Sequence, residues 1–69
     1  MTIEHTNKDR ASVTLTAGEV RLLNNALNEV CNGINFDDGE FQTRLGVNRT
    51  AARALLKRLG LLLTELGEP

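Results

Sequence analysis

Tryptophan and tyrosine are absent from these 69 residues, and Phe36 and Phe41 are the only aromatics. A β-sandwich core, which draws on aromatic and β-branched side chains, is therefore not expected. Twelve leucines point instead to interdigitating helices. Cys31 is the single cysteine, which excludes an internal disulfide, and with His5 as the single histidine there is no set of about four zinc ligands. Neither a metal nor a cofactor is expected. No apolar run approaches the roughly 20 residues that span a bilayer, and the opening "MTIEHTNKDR" lacks the apolar stretch of a signal peptide. No membrane partner is expected, and a reducing cytoplasm is the natural setting for the lone thiol. No glycine-rich phosphate loop follows a strand. The paired acids Asp37 and Asp38 have no evident second group to make an acid–base pair, and read as helix-capping residues. The chain is not expected to be an enzyme or to hold a small-molecule substrate.

A net charge of −1 conceals a division. From Phe41 to Arg58 the chain carries Arg44, Arg49, Arg53, Lys57 and Arg58 and no acid, a block of +5, so the remainder is −6. Such segregation suits an anionic partner for the basic block or pairing between the two parts.

Helix signals divide the chain. Thr16 followed by Glu19 has the capping-box spacing, and Val20, Leu23, Leu27, Val30, Cys31 and Ile34 then fall on one helical face, with Asn32-Gly33 as a stop. Asp37 starts a short second helix whose inner face would hold Phe41 and Leu45, and Gly46 closes it. Asn48 caps a third, in which Ala51, Ala52, Leu55, Leu59, Leu62 and Leu66 line one side with Leu56 and Leu63 flanking. Steps of three and four through 52, 55, 59, 62 and 66 have coiled-coil spacing and favour a helix that continues through Gly60 and packs on helix 1 and on a second chain. The expected fold is all-α: a three-helix bundle over about 17–32, 38–45 and 48–66. Residues 12–69 would form a single helical domain, with "SVTLT" as an extended lead-in and residues 1–11 as a polar, flexible tail.

The stretch "LGVNRTAARALLKRL" resembles the helix-turn-helix of small bacterial DNA-binding regulators: a Gly46-Val47 turn after a short helix, a polar Asn48-Arg49-Thr50 start, and small residues ahead of the leucines. The resemblance covers about residues 40–62 and implies that helix 3 is a recognition element. Gln42 departs from the pattern, since that family places a small residue there. At 100° per residue, Arg49, Arg53 and Lys57 form a stripe opposite Leu55 that should face solvent. The candidate DNA contacts are Arg44, Asn48, Arg49, Thr50, Arg53 and Lys57, with Thr50, Arg49 and Arg53 near base edges and Arg44 and Lys57 near phosphate.

"ALNEVCNGI" followed by "EFQTRLG" also looks like a pattern found in small bacterial proteins of no assigned activity. A second reading rests on apolar residues left off the core faces: a non-enzymatic interaction module (adaptor, immunity-like or regulatory) that holds a protein partner or another copy of itself, most simply as a dimer. Leu22, Ala26, Asn28 and Leu61 fall outside the main core stripes and are its candidate contacts. "LLNNALNEVCNGIN" places five asparagines in fourteen residues. Asn32 and Asn35 suit a helix exit, and Asn25 and Asn28 face outward. Asn24, at the core border, is expected to be buried and bonded to the backbone of the helix 2 turn. Cys31 lies on the apolar arc and is expected in the core.

Overall fold

The computed structural model describes residues 1–67. It corrects the all-α expectation: the chain is mixed, with three helices and a two-stranded antiparallel sheet. Strand β1 (Thr2–Thr6) and strand β2 (Ala11–Thr14) occupy the segment expected to be a flexible tail and lead-in. Ile3 faces Val13, His5 faces Ser12, and the register shifts between Ile3 and His5, leaving Glu4 in a bulge. Glu4 accepts a hydrogen bond from the Thr14 hydroxyl at 2.7 Å. The physical basis is local. β-branched Thr2, Ile3, Thr6, Val13 and Thr14 favour the extended backbone. Asn7 then folds the chain back, its side-chain oxygen accepting from the backbone N–H groups of Asp9 at 2.8 Å and Arg10 at 3.0 Å.

Helix α1 (Ala17–Asn28) opens on the expected capping box: Thr16 Oγ1 accepts from the Glu19 backbone at 3.1 Å, and Glu19 accepts from the Thr16 backbone at 2.9 Å. Glu19 also accepts from the Met1 amino group at 2.5 Å, tying the hairpin to the start of α1. That amino group, and then the Thr16 N–H, hold the Glu19 carboxyl below its ordinary range. The helix does not stop at Asn28. It widens into one π-helical turn (Glu29–Gly33), closed by the Ile34 N–H reaching back to the Glu29 carbonyl at 3.0 Å.

Helix α2 (Asp38–Leu45) is capped by Asp37, which accepts from the Glu40 N–H at 2.7 Å, and ends on Gly46 at φ +76°, a left-handed conformation that glycine adopts without strain. Asn48 caps helix α3 (Arg49–Glu65), accepting from the Ala51 N–H at 2.8 Å. The helix runs unbroken through Gly60.

The core is thin. Cys31, Phe41 and Ala52 form its centre, with Leu27, Val30, Phe36 and Leu56 packed around them, and Val20 and Leu63 are buried nearby. Helix α1 packs on α3, and the backbone fills a slab of 34 × 34 × 15 Å. At 8–10 Å between packed helices, 15 Å is no more than two helices deep. The radius of gyration of 13.3 Å exceeds the roughly 11 Å of a compact chain of this length. All residues of both strands are exposed, so the hairpin projects from the helical body.

Candidate functional site

Two faces of the helical body carry chemistry, and α3 contributes to both. Around its axis, Ala52, Leu56 and Leu63 turn toward the core, Leu55, Leu62 and Leu66 to one side of it, and Arg53, Lys57 and Thr50 to the other.

The first face is an apolar groove of about 610 Å³ between α1 and α3. Leu23, Ala26, Leu27 and Val30 form its α1 wall, and Ala51, Ala52, Leu55 and Leu59 its α3 wall. Leu45 and Val47, from the end of α2 and the turn after it, contribute further, as does Leu15 from the segment before α1. Every lining residue is aliphatic. The expected heptad seam on α3 is thus real as a stripe and open in this chain: Ala52 is buried, but Leu55 is 53% exposed, Leu62 41% and Leu66 46%. Helix α1 covers the flank of that stripe at Leu56 and Leu63 rather than its middle, so Leu23, Ile34 and Leu45, expected inside, are also exposed. Of the four candidate interface residues, Ala26 lines the groove. Leu22 and Leu61 are exposed outside it, and Asn28 accepts from Asn32 Nδ2 at 2.9 Å on the surface.

The second face is the outward side of α2 and α3. Thr50, Arg53 and Lys57 are exposed together, Arg58 is exposed between them and the leucine stripe, and no acid precedes Glu65 on α3. Arg44 is exposed but engaged, its Nε 3.0 Å from Glu40 and its guanidinium 5.3 Å from the centre of the Phe36 ring. Asn48 is committed to its cap.

Arg49 does not join the exposed stripe. Its guanidinium turns inward and is only 17% exposed. It donates to the carbonyl of Cys31 at 3.3 Å and to that of Phe36, pairs with Asp38 at 3.1 Å, and lies 4.7 Å over the centre of the Phe41 ring. The planar fork of an arginine suits two converging acceptors. The π turn supplies one of them: the carbonyl of Cys31, inside that turn, is oriented toward the start of α3. Arg49 thereby fastens the end of α1, the loop before α2 and the start of α3 to one another. Sequence reasoning placed Arg49 with Arg53 by angle alone; the missed signal was the ring of Phe41 and the acid of Asp38 close by in the chain. A polar cleft of about 360 Å³, lined by residues 31–36 with Arg49 and Arg53, borders this junction.

Asn24 also departs from expectation. It is half-buried, and its amide donates weakly at 3.4 Å to the neighbouring Asn25 side chain, not to the helix 2 turn. The arginine fork, not an asparagine, fixes how the helices close. Among the described residues no helix is long and apolar enough to cross a membrane, and no group of three His, Cys, Asp or Glu side chains is placed to hold a metal ion.

No protein-family model, curated protein or solved structure matches this chain.

Proposed function

We propose that this chain is a protein–protein interaction module without catalytic activity, working through the apolar face between α1 and α3. The observation that carries this reading is the open leucine stripe of α3 above an entirely aliphatic groove. A contiguous apolar surface of this kind marks an association site. It also lacks the convergent polar side chains that orient a small ligand. The single buried thiol of Cys31 suits the cytoplasm, where we place the module. Photo-crosslinking in living cells tests the reading: a benzoylphenylalanine at position 62, on the stripe, should give polypeptide adducts, and one at position 57, on the basic face, should give far fewer. Equal yields at the two positions, or none at 62, would overturn it.

A second reading, duplex DNA bound by the outer side of α3, is favoured by one feature: Thr50, Arg53 and Lys57 share that side, and Arg58 is exposed at its edge, without an intervening acid. With Arg49 turned inward and Arg44 paired, about three cations per chain remain for phosphates, which makes a shallow salt dependence. Titration of the chain with random duplex DNA at low salt checks it; absence of a complex there sinks the reading.

A further inference from the structure

Resting on the reading of the α1–α3 face as an interaction surface, we infer that its occupant is a second copy of this chain, docked with the two α3 helices antiparallel across a two-fold axis beside Gly60 and Leu61. Three observations converge on that partner.

The first is area. The chain exposes 5410 Å², whereas a compact monomer of 7.6 kDa exposes about 4,300 Å². The surplus of about 1,100 Å² includes the projecting hairpin, and it is the scale of what one partner contributes to a stable interface, about 800 Å². The second is the spacing of the open stripe. Placing the axis at the level of Gly60 and Leu61 sets Leu55 against the partner's Leu66 and Leu59 against the partner's Leu62, so each leucine of the stripe meets a leucine of the other chain. That self-complementarity is what a two-fold interface requires. The third is charge. Arg58 and Glu65 are seven residues apart, exposed on the same flank of the stripe, and the opposite flank is Leu56 and Leu63, already turned to the core. When α3 runs antiparallel to its copy, like flanks meet, and Arg58 comes within about 3 Å of helix rise of the partner's Glu65. The two-fold axis makes this pair twice. A parallel arrangement would set each Arg58 toward the buried leucine flank and leave it without an acid.

Sedimentation equilibrium of the full chain over a range of micromolar concentrations tests the inference. A species of twice the 7.6 kDa chain mass is expected. Leu62→Glu, at an exposed position, should keep the helical circular dichroism and weaken the dimer at least a hundredfold. Arg58→Glu should weaken it about tenfold by setting like charges together, and adding Glu65→Arg should restore it. A wild-type chain that stays monomeric overturns the second copy as occupant. If position 62 still crosslinks other polypeptides, the interaction reading survives that result; without adducts both fail. A dimer indifferent to Leu62→Glu overturns the assigned face, one held instead by exchange of the hairpins being such a case. A dimer that Arg58→Glu with Glu65→Arg does not restore overturns the antiparallel arrangement.

Discussion

Replacing Arg49 with alanine should remove a large share of this protein's stability, even though the residue lies at the first position of a helix and looks like a surface cation. Two carbonyls, those of Cys31 and Phe36, lose a charged donor, at about 1 kcal/mol each after water partly replaces it. The guanidinium over Phe41 contributes about 0.5–1 kcal/mol. The pair with Asp38, whose side chain is largely in water, contributes less than about 1 kcal/mol. The expected loss is about 3 kcal/mol, against a total of about 3–10 kcal/mol for a chain of this length. Urea denaturation followed by circular dichroism, at one fixed protein concentration, measures it through the midpoint with the slope unchanged. Arg49→Lys keeps the charge but not the fork, and should fall between. Arg53→Ala, one turn along and exposed, should cost less than about 0.5 kcal/mol. Equal midpoints for Arg49→Ala and Arg53→Ala would refute the clamp.

Three further outcomes are expected. Gly60→Ala should stabilise the chain by about 1 kcal/mol, raising the melting temperature by roughly 4–8 °C, because a Cβ there meets nothing within 4 Å and the glycine sits in mid-helix; a lower melting temperature would show a close approach at that position. The Glu19 carboxyl titrates below its ordinary 4.5 in the folded chain, so its stabilisation is present above that pH and is lost as pH falls through the lowered value. Glu19→Gln should accordingly flatten the acid limb of the stability–pH curve, and an unchanged limb would contradict this. Phe41→Ala removes the fully buried ring at the core centre, a loss of about 3–5 kcal/mol that should leave a chain with little cooperative unfolding by calorimetry.

The helical half was legible because its signals are local. Thr16 with Glu19, Asp37 with the Glu40 amide, Gly46 and Asn48 each satisfy helix-end groups within a few residues, and the structure uses all of them. The hairpin is hidden for the opposite reason: the strand that pairs with Ala11–Thr14 is the preceding "TIEHT", whose polar side chains mask its β-branched content. Its real signal was Asn7, placed to bond two following amides. The leucine stripe was found at the right positions, but periodicity cannot say what covers a face. Arg49 and Asn24 show the same limit, since each lies near a boundary between faces where angle alone does not decide. The depth of the core, the width of the π turn and the position of Phe41 decide there.

The π turn also links chain length to side-chain identity. A turn closed from residue 29 to residue 34 holds one residue more than an α-turn would. Deleting a residue between Asn28 and Gly33 would let α1 continue in regular geometry. The residues after it would keep nearly their direction, but the turn that aims the carbonyl of Cys31 at the guanidinium would be gone. Among descendants of a common ancestor, those one residue shorter in this stretch would have no use for an arginine at the start of α3, and the insertion and the arginine should be gained or lost together.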